Sequence, residues 1–124
     1  MKFTVYAIEL SDSHDLHSLE IDLLRSNPGE WARIAARLEH LADRGEIWDK
    51  RRYRHIGDKL LETKTPGGVR VIFFHDKGRV IICSTASYKE KRKRFVQTKK
   101  RAKKRREEYL RAKANNSLDY IIGS

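Results

Sequence analysis

Apolar side chains recur at Trp31, Ile34, Ala35, Leu38, Leu41 and Ala42, while Arg33, Arg37 and Arg44 fall off that stripe. Spacing of i, i+3, i+4, i+7 is that of an amphipathic helix with one face turned to a core. Asn27 offers a cap, Pro28 suits a first helical turn, and Glu30 stands three residues after Asn27 as in a capping box. Gly45 supplies the stop. Upstream, Leu16, Leu19, Leu23 and Leu24 keep helical spacing over about 15–26, with capping oxygens in Ser11-Asp12-Ser13 and a break at Ser26-Asn27-Pro28. The two segments predict a helical hairpin. Residues 3–9 (FTVYAIE) ahead of them are rich in β-branched and aromatic types and predict a first strand.

Residues 46–58 (EIWDKRRYRHIGD) show no period and read as a connection over the surface. Three strands are predicted after them, at 59–64, 69–75 and 79–85, separated by Thr65-Pro66-Gly67-Gly68 and by Asp76-Lys77-Gly78. Turns this tight make neighbouring strands antiparallel, so the three form a meander. Side chains alternate across a strand, which puts Val69, Val71 and Phe73 on one face and Arg70, Ile72 and Phe74 on the other. From about Phe95 a last helix is predicted, with Phe95, Ala102 and Tyr109 recurring every seven residues and Val96 and Leu110 beside them. That narrow apolar line suits docking on a sheet or in a partner groove. The expected fold is α+β: an N-terminal strand, a helical hairpin, a three-stranded antiparallel meander forming one sheet, and a basic C-terminal helix. Residues 1–113 would form a single domain and 114–124 a frayed tail, although Leu118, Tyr120, Ile121 and Ile122 offer a small apolar contact.

Composition fits this picture: 124 residues, 39% hydrophobic and 36% charged, suit one modest core. A single cysteine, Cys83, excludes an internal disulfide framework and a Cys-rich zinc site, and its apolar setting makes it a small buried hydrophobe. No apolar run reaches the length of a membrane span. The start of the chain meets acidic Glu9 and Asp12 too soon for a signal peptide, so a cytoplasmic location is expected.

Charge changes the picture more. Fourteen of the residues from Lys89 to Lys113 are Lys or Arg against three acidic ones, so this stretch alone carries +11, the net charge of the whole chain. The fourteen basic and fourteen acidic residues elsewhere cancel. A near-neutral body with one positive stripe attracts polyanions whatever their sequence. Tyr88 followed by Lys89, Lys91, Arg92, Lys93 and Arg94 joins an aromatic ring, which stacks on bases, to cations that hold phosphates. Arg70 interrupts an apolar sheet face. Either an internal carboxylate such as Glu62 meets it, or an external phosphate does.

Familiar catalytic patterns are absent: no phosphate-binding glycine loop, no His-Glu-x-x-His, no nucleophile elbow. The five histidines, at 14, 17, 40, 55 and 75, are scattered. His14 and His17 lack a third ligand, while His55 and His75 are weak general-base candidates. No metal and no cofactor is expected.

The words Lys59-Leu60-Leu61-Glu62-Thr63-Lys64, Val69-Arg70-Val71-Ile72-Phe73-Phe74 and Gly78-Arg79-Val80-Ile81-Ile82 are followed by Tyr88-Lys89-Glu90-Lys91-Arg92-Lys93 and by Ala102–Leu110. In this order they resemble the RelE/ParE superfamily of toxin–antitoxin toxins, nearest to its HigB-like, phage-derived branch, over about residues 3–112. Two positions depart from that branch: Phe95 stands at the place of its usual Pro, and Thr63-Lys64 at that of Leu-Arg. The resemblance implies a RelE-like fold and a type II toxin that cleaves mRNA on the translating ribosome and is silenced by a cognate antitoxin protein. It assigns catalysis to Arg70, Tyr88, Lys89 and Lys93, with Lys64 at an RNA-binding position. Lys91, Arg92, Arg94, Lys99, Lys100, Lys103 and Lys104 of the stripe would add contacts to RNA or the ribosome. Such cleavage uses the substrate's own 2′-hydroxyl against the adjacent phosphate, with fixed cations stabilising a transition state more negative than the ground state. Two other readings stay open: a ParE-like toxin acting on DNA gyrase, and a non-catalytic nucleic-acid-binding protein that uses only the stripe.

Overall fold

A strand with apolar side chains on both sides is stable only where both faces of its sheet are covered. The computed structural model, which describes residues 3–8, 15–44, 51–77, 80–88, 92–114 and 122–123, shows what covers them. In chain order the elements are β1 (Thr4–Ile8), α1 (Asp15–Ser26), α2 (Pro28–Arg44), β2 (Tyr53–Gly57), β3 (Leu60–Lys64), β4 (Val69–Asp76), β5 (Val80–Tyr88), α3 (Arg92–Ala114) and β6 (Ile122–Gly123). One mixed sheet runs β2-β3-β4-β5-β1-β6. Strands β2 to β5 pair antiparallel, β1 lies parallel to β5, and β6 is antiparallel to β1.

Val69, Val71 and Phe73 pack with Leu19, Leu23, Ile34 and Leu41, so the α1–α2 hairpin covers one face. Ile72 and Phe74 pack with Leu60, Ile82, Ala102 and Tyr109, so α3 covers the other. The alternation expected along β4 and the helical hairpin both hold, and the heptad line of α3 is its docking seam. Phe95 packs against the second cluster, whereas Val96 and Leu110, beside the seam, are exposed.

The meander has one strand more than the sequence predicts. Residues 53–57, read as surface connection, form β2 at the sheet's edge. Only Tyr53 of this strand is buried, Arg54 and His55 are exposed, and a register shift falls between His55 and Gly57. Charged, irregular edge strands protect sheets from further pairing, and they carry no apolar alternation to read. Gly57, Asp58 and Lys59 close the hairpin to β3 with φ of 90°, 55° and 62°, the left-handed conformation such turns require. Helix α3 begins at Arg92, three residues before Phe95. At the far end, Ile122 and Gly123 pair with Ile8 and Ala7; residues 115–121 lie outside the described residues.

Strand β5 runs on to Tyr88 and contains a bulge. Ile72 opposes Thr85 but Phe73 opposes Cys83, which leaves Ser84 as the extra residue. Ser84 Oγ donates to the Ala102 carbonyl at 3.0 Å, and Arg105 Nη1 donates to the Ser84 carbonyl at 2.9 Å. The bulge therefore fastens the middle of α3. Its C-terminal end is held by Asp76, which accepts the Tyr109 hydroxyl and, at 2.8 Å on each oxygen, Lys113 Nζ. Tyr109 is buried edge-on against Phe74, with ring centroids 5.3 Å apart. Burial pushes the Asp76 carboxyl up, but hydrogen bonds from Lys113, Tyr109 and the Lys77 amide outweigh it and hold it below its ordinary value of 3.8.

At the start of α2, Asn27 Oδ1 accepts the Glu30 amide at 3.4 Å, as a cap should. The reciprocal half of the capping box is missing, since the Asn27 amide bonds to the Leu23 carbonyl. Glu30 is instead buried against the β3–β4 turn, accepting Thr65 Oγ1 at 2.7 Å and the Arg33 guanidinium. The Thr65 hydrogen bond, resisted by burial and helped by Arg33, lowers its pKa from the ordinary 4.5. Gly67 makes room for it, because a Cβ there would lie 2.0 Å from Glu30 Oε1.

Gly67→Ala is therefore expected to destabilise the fold by about 1–3 kcal/mol, the range for forced overpacking, measured as a lowered midpoint of urea unfolding. Glu30 and Asp76 are both depressed below their ordinary values of 4.5 and 3.8. Their contributions are present in full above those values and disappear as pH falls through the lower folded ones. Urea midpoints should fall as pH drops below about 4, and Glu30→Gln should flatten that fall. An unchanged pH profile in Glu30→Gln would refute the role given to this carboxylate.

Candidate nucleic-acid interface

Three strands bring three charges together on the sheet face covered by α3. Arg54 of β2 and Glu62 of β3 are cross-strand partners, and Arg70 of β4 lies diagonal to Glu62, two residues from its partner Ile72. Glu62 is only 1% exposed. Its Oε1 lies 2.9 Å from Arg54 Nε and 2.7 Å from Arg54 Nη2, a two-pronged grip. Its Oε2 lies 2.8 Å from Arg70 Nε, an ion pair whose N–H is not aligned for a hydrogen bond. On the helix side, the Arg70 guanidinium sits 4.0 Å from the centroid of the Phe95 ring. Arg70 is thus held between a buried carboxylate and an aromatic ring, with its side chain 11% exposed.

Above this group opens a cleft of about 940 Å³ between the sheet and the first half of α3. The sheet contributes Arg54, Asp58, Lys64 and Arg70; the helix contributes Phe95, Val96, Lys99, Lys100 and Lys103. Six of the nine lining residues are cations and one is acidic. Asp58, at the β2–β3 turn, stands 4.0 Å from Lys99 Nζ and 3.7 Å from Lys103 Nζ. At that spacing and exposure these pairs are weak, so the lysine charges remain available to a ligand. A cationic cleft with an apolar strip along one wall can hold a phosphodiester backbone while a base or ribose rests on Phe95 and Val96.

The structure gathers Arg70, Lys64, Lys99, Lys100 and Lys103 of the residues expected from sequence into this one cleft. Arg94 and Lys104 are exposed on α3 but do not line it. Lys89 and Lys91 lie outside the described residues, and Arg92 and Lys93 are described only as backbone in the first turn of α3. Tyr88 is separated from Arg70. Its register partner is Val69, it packs with the hairpin-side core, and its hydroxyl accepts Asn27 Nδ2 at 3.4 Å. Neither weak general-base candidate lines the cleft: His55 is exposed on β2, and His75 lies edge-on to Phe3 and Phe73, at 6.0 and 6.4 Å. Cys83 is buried, with its thiol pushed up to about 12 by desolvation, which suits an inert core residue.

Sequence reasoning missed Arg54, Asp58, Phe95 and Val96 as parts of the site. The signal for the first two was Gly57-Asp58, a hairpin turn that makes residues 53–57 a strand and so sets Arg54 opposite Glu62. From sequence, Phe95 and Val96 stand out for the docking seam, and Phe95 also as a departure from the resembled branch, but neither as a wall of a cleft.

No curated protein and no solved structure matches the chain. The family model for the phage-derived protein Gp49-like (DUF891) matches residues 22–107, a span that includes every residue lining the cleft. The chain belongs to the Gp49-like family of phage-derived proteins.

Proposed function

We propose that this protein is the toxin of a type II toxin–antitoxin system and acts as an endoribonuclease on mRNA at the translating ribosome. The observation that carries the reading is the cleft itself: Arg70, fixed by Glu62 and Phe95, lies among lysines from two different elements. Membership in a phage-derived family and the resemblance to the phage-derived branch of RelE/ParE toxins support it.

In this reading an RNA strand lies in the cleft with its scissile phosphate at Arg70. The neighbouring 2′-hydroxyl gives up its proton to solvent and attacks that phosphorus to form a 2′,3′-cyclic phosphate, while the 5′-oxygen of the next nucleotide leaves and takes a proton from solvent. Negative charge builds on the non-bridging oxygens, and a guanidinium already held in place stabilises it without reorganising. Lys64, Lys99, Lys100 and Lys103 neutralise flanking phosphates. Lys89 and Lys93 keep the catalytic role that the resemblance implies. Tyr88 faces the other side of the sheet, so the proposal gives it no part in the chemistry. At rest, an acidic or amphipathic segment of a cognate antitoxin would occupy the same cleft and block RNA by charge and by volume.

Induced expression in a bacterial host should arrest growth and leave mRNAs with new internal ends. Arg70→Ala should relieve the arrest and lower cleavage by about 10²–10³-fold, as for loss of one transition-state donor. Because Arg70 also neutralises Glu62, its melting temperature must be compared with the parent's; Lys100→Ala, an exposed change, should weaken RNA binding without moving it. Arrest by Arg70→Ala equal to the parent's would sink the reading. Loss of DNA supercoiling with intact mRNA would point to gyrase instead, and RNA binding without cleaved product to a purely binding role.

A further inference from the structure

The turn leading into the edge strand β2 carries two cations, Arg51 and Arg52, that the proposed function leaves unused. A second cavity of about 270 Å³ is lined by Arg51, Arg52, Arg54, Glu62 and Lys64. Arg54 and Lys64 also line the main cleft, so the two hollows share a wall. Beneath both lies Glu62, taking Arg54 on one oxygen and facing Arg70 with the other.

Charges on an edge strand ordinarily need no ligand, since they keep the edge from pairing with another chain. Two observations go beyond that role. A protective cation has no use for a buried counter-charge, yet Arg54 is gripped by a carboxylate 1% exposed. Nor does it need a neighbouring hollow, yet Arg51 and Arg52 line one with Arg54. A guanidinium pinned in this way is preorganised, and less freedom is lost when an anion meets it.

We propose that the second cavity is a further phosphate subsite, so that single-stranded RNA lies along a track from α3, over β3, to the outer edge of the sheet at β2. Arg54 belongs to both subsites, and Glu62 is a positioning residue that holds Arg54 and Arg70 for consecutive stretches of one backbone. The track rests on the RNA reading above and extends it to a longer ligand than the cleft alone would hold.

The test uses the full chain and fluorescent, uncleavable 2′-O-methyl oligoribonucleotides of about 4 and about 12 nucleotides, within the range one small domain covers. Binding is followed by anisotropy over a series of salt concentrations. The parent should bind the longer oligomer more tightly and with a steeper salt dependence. The double variant Arg51→Gln, Arg52→Gln should lose about tenfold in affinity for the long oligomer at 0.1 M salt and keep its affinity for the short one. Its salt slope should flatten by about 1.4, at ~0.7 per phosphate contact on a single strand. The single variants, each flattening the slope by about half as much, serve if the pair folds poorly by circular dichroism. Equal binding of long and short oligomers by the parent, or an unchanged slope in the variants, would overturn the track alone. Failure of the parent to bind either oligomer would overturn both the track and the RNA reading.

Discussion

Burying the Glu62 carboxylate takes it and much of Arg70 out of water, a penalty of several kcal/mol per ion that is offset only where counter-charges stand close. Here they do, at 2.7 to 2.9 Å on both oxygens. The group therefore depends on three strands being in register, and the cleft depends on the group. If β2 slipped by one residue, Arg54 would move to the hairpin side and Tyr53 would leave its core. Tyr53 resists that slip: it is buried, stacks edge-on with Phe73 and donates its hydroxyl to the Arg37 carbonyl at 2.7 Å. An apolar anchor on one face of β2 thus fixes the electrostatics on the other.

The same division of labour governs α3. Its docking seam is narrow, and polar contacts that reach the sheet from three places reinforce it. Phe95 meets Arg70 near the first turn, Ser84 and Arg105 bond across the middle, and Asp76 takes Tyr109 and Lys113 near the end. A helix this basic repels itself and has little apolar surface to bury, so such fixed points are what hold it flat against the sheet. Holding it flat is also what turns a charge run into a wall. Lys99, Lys100 and Lys103 face Arg54 and Lys64 across the cleft because the seam through Phe95, Ala102 and Tyr109 leaves the helix no other orientation.

How much of this was legible in the chain varied with the length of the pattern that encoded it. The hairpin stripe runs over two helices, and its ends carry cap and stop residues, so it could be read to within a residue. The two faces of β4 were legible by alternation, and with them the isolation of Arg70 and the candidacy of Glu62 as its partner. Tyr88 stands apart from the cleft for a specific reason. Along an unbroken β5, residues 82, 84, 86 and 88 would share the α3 face with Arg70. The extra residue at Ser84 shifts the pairing by one, so Ala86 and Tyr88 turn to the hairpin core. A bulge is a tertiary choice, made here by the Ser84 contacts to α3, and a single sequence carries no period that announces it. Strand β2 was hidden because an exposed edge tolerates charge at most of its positions, and Glu30 was drawn from its cap by a turn some 35 residues away.

Placing the cations also changes what the +11 stripe means. Helix α3 has no acidic residue in its first turn, where the helix dipole favours one, while Arg111 and Lys113 in its last turn suit the negative end. Arg92, Lys93 and Arg94 crowd the positive end instead, an arrangement that disfavours the free helix. Asp58 and Asp76 on the sheet pair with Lys99, Lys103 and Lys113 further along the helix. The helix dipole is therefore complemented at the C-terminal end of α3, by Arg111 and Lys113, and opposed by the sequence at its N-terminal end. The N-terminal half is the one that borders the cleft, through Phe95, Val96, Lys99, Lys100 and Lys103, so the end of the helix whose dipole favours an anion lies beside the space that can admit one.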